Sequence, residues 1–392
     1  GVYLPRSQSQ VMDLPRLERI EVLAGPQSTL FGKNAAAGAI SLVTKAPTQE
    51  FDAKVETSLG NYDHRQVKAY VSGGVSDTVA LSLSGSNYTR DGYTKSLSGL
   101  QDLNDKDRFN LRAQALWQPT DDVSIRVIAD YSEIDEVCCS ASAVQVGGTG
   151  LVIQSLGAQT LDPERAFEYE SYLNHDQVNK IDDTGLSVHA DVDFDGFTLT
   201  SITAYRENNV VGDGDIDYTS VDIARGPTYQ DSEMFSQELR LTSTTDGPLS
   251  WYTGASYYKE NITTDYRFAG EEDFFCQYYG YYYNSGMTFS GCQDLYNYYG
   301  SEFTPSANGL LEETARIKGK YEGWGVYLSL AYQLTETLQL EGGVRYTDDE
   351  KQFQTYVPTP ESELGPYWAF GYSTAEPLED TKSWNDWTPR II

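Results

Sequence analysis

Along most of the chain apolar and polar side chains alternate with a period of two, the period of a strand whose two faces meet different surroundings. Val123, Ile125, Val127, Ala129 and Tyr131 are apolar, while Ser124, Arg126 and Asp130 fall on the other face, with Ile128 the exception. Leu186, Val188, Ala190, Val192 and Phe194 alternate with Ser187, His189, Asp191 and Asp193. Trp324, Val326, Leu328, Leu330 and Tyr332 form another outer stripe, and Leu338, Leu340, Gly342, Val344 and Tyr346 alternate with Gln339, Glu341, Gly343 and Arg345. A slip of one residue would turn those charges into the apolar medium, at about 2–4 kcal/mol for a basic side chain near a bilayer midplane.

The segments between the strands alternate in length. Short turns are predicted at Gly73 to Asp77, Gln118 to Asp122, Asp193 to Gly196, Ser243 to Pro248 and Gln333 to Thr337. Long loops are predicted at Asp91 to Lys106, Val137 to Lys180, Glu207 to Gln230, Asn261 to Gly319 and Gln352 to Lys382, with Gly60 to His64 the one short outer loop. Short turns at one end and long loops at the other are the pattern of an antiparallel outer-membrane β-barrel. A soluble sandwich does not ordinarily carry loops of roughly forty to sixty residues on one side only. Tyr131, Tyr205, Trp251, Tyr252, Tyr257, Tyr258, Trp324, Trp384 and Trp387 cluster near the predicted strand ends, where an interfacial girdle would sit. About twelve strands are predicted, ending near Trp387.

The stretch from residue 18 to 47 does not belong to that series. Ile20 and Val22 alternate with Arg19, Glu21 and Leu23 in what reads as a short, mostly buried strand, stopped by Gly25-Pro26. Gly32 and Gly38 flank alanines that include Ala36 and Ala37, as where backbone passes close to another surface. Ile40, Leu42, Val43 and Thr44 restart a strand that Pro47 ends.

The run Arg19 to Leu23, Gly25-Pro26, Ser28, Leu30-Phe31-Gly32, Gly38, Ile40 and Thr44-Lys45 resembles the C-terminal part of the plug domain of TonB-dependent outer-membrane receptors. Ala24 departs from it, since the family usually has Arg there. Ser236 to Ser243 (Ser-Gln-Glu-Leu-Arg-Leu-Thr-Ser), Gly343-Val344-Arg345-Tyr346-Thr347 and Asp386-Trp387-Thr388-Pro389-Arg390 resemble barrel segments of the same family. The resemblance implies residues 1–50 as the C-terminal part of the plug and 51–392 as the N-terminal part of a barrel of roughly 22 strands, a size that leaves a lumen to be plugged. It also implies Arg19 and Glu21 as plug anchors, and a longer protein whose further N-terminal residues would hold a signal peptide, a TonB box and the rest of the plug. The implied function is active import of a scarce nutrient, a ferric siderophore first, driven by TonB and its inner-membrane motor complex. Import of a glycan or corrinoid, or a passive channel or adhesin, stays open. The implied surroundings are outer-membrane lipid and lipopolysaccharide.

Composition narrows the alternatives. Of 392 residues, 58 are acidic and 28 basic, a net charge of −30, the opposite of a nucleic-acid footprint. No apolar run is long enough for a membrane helix, and a barrel needs none. There is no Gly-x-Ser-x-Gly, phosphate loop or His-Glu-x-x-His, and the three histidines are far apart in sequence, with only His189 on the predicted lumen face. Paired acids such as Asp182-Asp183 and Asp348-Asp349 read as loop charge. The reading is therefore not an enzyme.

The candidate chemistry sits in the loops. Phe274-Phe275-Cys276 leads into Tyr278, Tyr279, Tyr281, Tyr282 and Tyr283, with Tyr298 following. Tyrosines give rigid, amphipathic contact surface with few rotors to immobilise, so this loop is predicted to bind ligand, against the plainer reading of a self-packed loop. Cys276 and Cys292 flank the run and are predicted to pair, whereas the adjacent Cys138 and Cys139 either bond to each other or pair elsewhere. Asp213, Asp215 and Asp217 resemble the start of a calcium loop, a candidate structural cation site that lacks the twelfth-position Glu. No other cofactor is expected.

Overall fold

The alternation is realised strand after strand. In the computed structural model, which describes residues 2, 4, 6, 16–25, 27–32, 35, 37–142, 144–365 and 369–391, an antiparallel hairpin of β1 (Leu17–Ala24) and β2 (Gly38–Thr44) encloses a short helix, α1 (Ser28–Phe31). There follow β3 (Asp52–Gly60), β4 (His64–Ser76), β5 (Val79–Arg90), the short β6 (Lys95–Ser96), β7 (Lys106–Thr120) and β8 (Val123–Glu136). After helix α2 (Gly148–Ser155) come the short β9 (Glu170–Ser171), β10 (Val178–Phe194), β11 (Phe197–Asp213), β12 (Thr228–Ser243) and β13 (Leu249–Glu271). Helices α3 (Glu272–Tyr283) and α4 (Cys292–Tyr298) precede β14 (Leu310–Thr335), β15 (Leu338–Tyr356) and β16 (Leu378–Ile391). Pro26 and Ala36, which the sequence reading invoked, lie outside the described residues.

The long strands form one 12-stranded antiparallel sheet in chain order, with β3 and β16 at its edges among the described residues. β6 and β9 pair with each other, parallel, within the outer loops. Several inner strands show one exposed and one covered face, while the edge strands β3 and β16 are exposed almost throughout. On β14 Trp324, Val326, Leu328 and Leu330 are exposed while Gly325, Tyr327 and Ser329 are buried. This inversion, with apolar side chains outward and polar side chains inward, is what a sheet between hydrocarbon and a polar lumen requires.

The strands run further outward than the alternation alone predicted. β13 and β14 stay paired from Leu249↔Tyr332 to Glu271↔Leu310, so the loop between them is 272–309 rather than 261–319. Likewise β11 extends to Asp213 and β12 starts at Thr228. Beyond the girdle both faces are polar, so the period-two signal fades while the backbone ladder continues. Asp182-Asp183 and Asp348-Asp349 accordingly lie in strands, not loops.

The hairpin sits on the inner face of the sheet. α1 packs against β14, β15 and β16. Gly32 has φ 72°, open to glycine at little cost, and Gly38 brings its Cα against the Leu23 carbonyl, where any Cβ would clash. Contrary to the expectation of a mostly buried strand, Ile20 and Val22 are 57% and 74% exposed, because the described sheet covers only one side of the hairpin.

Candidate functional site: the outer-loop crown

The long loops gather above the sheet into a crown with its own core. β13 ends directly in α3, whose first turn carries Glu272 and Asp273, acidic residues that suit the positive end of a helix dipole. The tyrosine-rich stretch read as loop is thus largely helical: once capped by tertiary contacts, its aromatic residues fall on two faces. The inner face carries Phe274, which packs with Ile153, Ala158, Ile223 and Ala224 from the loops 137–177 and 214–227. Cys276, bonded to Cys292, packs with Phe303 and ties α3 to α4. Gly280 admits the Phe289 ring where a Cβ would collide with it. The buried Glu272 carboxylate accepts from the Ser306 amide at 3.1 and 3.2 Å, closing the far end of the loop. Glu313 likewise accepts from the amides of Ala369 and Phe370, drawing the 357–377 loop in.

The outer face carries tyrosines. Helical spacing stacks Tyr278 on Tyr282, with ring centroids 6.2 Å apart, and Tyr279 on Tyr283, 5.8 Å apart, both nearly parallel. Tyr282 and Tyr283 are 57% and 69% exposed. Tyr298 and Tyr299 on and after α4 are also exposed. Tyr281 turns the other way, toward Gly286. Burial raises the Tyr279 phenol above its ordinary range, with Tyr283 and Tyr278 adding to the shift, so it stays a neutral donor. The structure therefore combines the two readings of this loop: one face is self-packed and the other is an open aromatic platform.

Below the helix lies a cavity of about 530 Å³, walled by Ile153, Leu161, Ile223, Phe274 and Tyr278 and lined on its polar side by Asp217 and Tyr218. Its size and its few polar groups fit a small-molecule site. Sequence reasoning found Tyr278 but not the walls contributed by α2 and the 214–227 loop, since nothing in those segments alone shows that they converge.

The carboxylates of the acidic run are turned toward backbone donors. Asp215, 2% exposed, accepts from the amides of Asn174 at 2.8 Å, Asp217 at 2.9 Å and Tyr218 at 2.7 Å. Asp217 accepts from Thr219 and Ala224, both at 2.9 Å. These carboxylates shape the loop through backbone donors, and among the described residues no group of three or more His, Cys, Asp or Glu could hold a metal ion. Burial, then the Asp217 charge, pushes the Asp215 carboxyl up to about 6. His175 pairs with Asp222 at 3.0 Å, a second tie between the same two loops. Cys138 and Cys139 are bonded to each other, and the Cys139 carbonyl accepts from the Tyr218 hydroxyl at 3.2 Å.

Below the crown, the lumen wall holds buried charge that the sequence reading missed. Arg206 bridges Asp183 and Asp130, the second at 2.7 Å, and Asn208 donates to Asp183 at 3.1 Å. Period two puts the neighbouring Asp182 on the outer face, where it accepts from the Tyr131 hydroxyl at 2.8 Å. Between hairpin and wall several bonds run from barrel residues. Arg126 donates to the Thr44 carbonyl and hydroxyl, both at 3.0 Å, and to the Lys45 carbonyl at 3.2 Å, where Gln114 also donates. Arg345 donates to the Thr29 carbonyl at 3.4 Å. Arg19 and Glu21, expected as plug anchors, pair with each other along β1 at 2.7 Å on the side of the hairpin that the described sheet does not cover.

No protein-family profile matches the chain. Among curated proteins it is 32% identical over 90 residues to an iron-regulated outer membrane virulence protein of Vibrio cholerae, covering 21% of this chain and 14% of that protein. It is 29% identical over 143 residues to the ferrioxamine B receptor of Salmonella typhimurium, covering 36% of this chain and 19% of that one. Among solved structures, the ferric yersiniabactin uptake receptor of Yersinia pestis superposes with a TM-score of 0.69 at 15% identity, over 95% of this chain and 48% of that one. The siderophore receptor PiuA of Acinetobacter baumannii gives 0.67 at 14% identity, over 96% and 52%. The chain thus spans about half the length of the solved structures it matches.

Proposed function

We propose that this chain is part of a TonB-dependent outer-membrane receptor, a transmembrane β-barrel with a plug segment on its inner face, and that it imports a ferric siderophore across the outer membrane. The observation that carries the reading is the crown. A Tyr-faced helix stapled by Cys276–Cys292 stands over an apolar cavity on the side of the wall that carries the long loops. Stacked tyrosines and a mostly apolar pocket suit an organic chelate, which is bulky and carries flat or apolar surface. In this scheme Tyr278, Tyr279, Tyr282, Tyr283 and Tyr298 hold the chelate, and TonB with its motor complex pulls on the plug. No bond in the cargo is made or broken by this chain, which is a receptor and not an enzyme.

The test uses the full-length receptor in cells deleted for it. Radio-iron uptake is measured with one catecholate, one hydroxamate and one carboxylate chelate, with and without a protonophore. Energy-dependent uptake of one class, lost on deletion, is the expected result. If no chelate is bound or taken up, the siderophore reading falls.

A further inference from the structure

The crown holds two surfaces of unlike chemistry, and helix α3 joins them. Phe274, Tyr278 and Tyr282 follow one another at helical spacing, so they form one stripe along α3. Phe274 is buried and walls the cavity, Tyr278 both lines the cavity and stacks on Tyr282, and Tyr282 is open to solvent. An aromatic track therefore leads from the open platform down into the cavity.

Inside the cavity the polar groups are engaged with the chain itself. The Ser142 hydroxyl donates to the Glu170 carbonyl at 3.3 Å, Thr160 Oγ1 accepts from Gln154 at 2.6 Å, and the Tyr218 hydroxyl donates to the Cys139 carbonyl at 3.2 Å. Thr219 Oγ1 donates to the Val221 carbonyl at 3.2 Å, and the Asp217 carboxylate is taken by the amides of Thr219, Ile223 and Ala224. Gln145 and Thr149, which also line it, are exposed. The rest of the wall is largely apolar, with Val146, Ile153, Leu161, Ile223 and Ala224 beside Phe274. A metal-binding group pushed in here would lose its water without gaining partners, at about 1–3 kcal/mol for each unpaired polar group. A hydrocarbon chain would instead gain about 0.8 kcal/mol per buried methylene.

We propose that the cavity seats the hydrocarbon chain of an amphiphilic ligand whose polar head lies on the tyrosine platform. That the head is an iron chelate rests on the import reading. The chain site is tested without iron, so the two fail separately.

The full-length receptor in nanodiscs is irradiated with a long-chain alcohol carrying a terminal diazirine, and the labelled peptides are located by mass spectrometry. Label is expected on α2, on α3 and on residues 214–227, and excess unlabelled alcohol should remove it. Ala141 lines the cavity and is exposed, so Ala141→Trp fills the space from its open side and should cut the crown label by roughly tenfold or more, the loss of a few buried methylenes. Ile223→Asn, which makes the wall polar, should act in the same direction. Heat-modifiable mobility and an intact Cys276–Cys292 link check that each variant is folded.

A ferric trihydroxamate N-acylated with chains of increasing length then reads head and chain together. Its uncharged head suits the stretch 272–309, which holds Glu272, Asp273, Asp294 and Glu302 and no lysine or arginine. Affinity should rise by up to about fourfold per methylene until the cavity is full, and Ala141→Trp should flatten that rise. Label confined to the membrane-facing strands, or equal crown label in the wild type and Ala141→Trp, overturns the proposal even where the chelate is bound and imported. So does an acyl series that binds but is as flat in the wild type as in Ala141→Trp. Crown label that Ala141→Trp abolishes, with no chelate bound at any chain length, upholds the chain site and counts against iron in the head.

Discussion

The wall and the crown are ordered by different means. Between Leu249 and Tyr332 the wall is a backbone ladder, and each position asks only for a class of side chain, apolar outward and polar inward. Above it, between Glu272 and Phe303, order comes from individual contacts: one disulfide, one carboxylate on one amide, one ring against one glycine. The wall should therefore tolerate most substitutions within a class and fail on a change of class. The crown should fail at particular residues and leave the wall untouched.

The largest expected effect sharpens the first half of that contrast. Leu328→Arg, in the middle of the exposed apolar stripe of β14, is predicted to destabilise the bilayer-inserted barrel by about 2–4 kcal/mol, read as the urea midpoint of heat-modifiable mobility. Glu322→Arg, two residues beyond Trp324 on the same face, should cost about 0–1 kcal/mol, since it lies past the girdle. Equal effects at the two positions would mean that the stripe does not mark the hydrocarbon.

Next comes the staple. Cys276→Ser with Cys292→Ser opens the link that closes 16 residues of sequence separation, a loss of about 3 kcal/mol confined to the crown. Limited proteolysis should cut between α3 and α4 while the barrel midpoint holds. A fall in that midpoint would show that wall and crown are one cooperative unit. Replacement of Tyr282 and Tyr283 by Ala is a smaller change still. Chelate affinity should drop about tenfold at unchanged surface expression, given roughly 0.5–1.5 kcal/mol per aromatic contact. Unchanged uptake would leave the platform without a role in capture.

The smallest effect is one of pH. The Asp215 carboxyl, pushed up to about 6 in the folded crown, binds its proton more tightly there than in an opened loop. Its stabilising contribution is therefore full below the ordinary carboxylate range and is lost as pH rises through about 6. Amide exchange across residues 214–227, corrected for intrinsic rates, should be slower near pH 5 than near pH 7, and Asp215→Asn should flatten that difference.

Much of the wall was legible because alternation reports a physical boundary wherever one face meets hydrocarbon. Where both faces are polar the same strands became invisible, which is why β13 and β14 were cut short. Asp182-Asp183 shows the same limit at a single point. Two adjacent acids look like loop charge until the backbone sends one to Tyr131 outside and the other to Arg206 within. In the crown, the run around Tyr278 to Tyr283 has neither a strand nor a clean helix pattern, since aromatic residues serve both faces. Its helix follows from Phe274 and Cys276 finding partners in distant loops, and no local rule contains those partners. The grips on the hairpin were likewise hidden, because Arg126 and Arg345 donate to carbonyls, and any residue supplies a carbonyl.

The overhang of β13 and β14 sets an altitude. From Trp324, at the edge of the apolar stripe, β14 climbs to Leu310 before the chain turns, a rise of roughly 30 Å at the tilt usual for such barrels. The tyrosine platform is thereby carried clear of the lipid headgroups on a stiff collar. A chelate arriving from the medium would meet it before it met the membrane, at a height where antibodies and proteases can also reach.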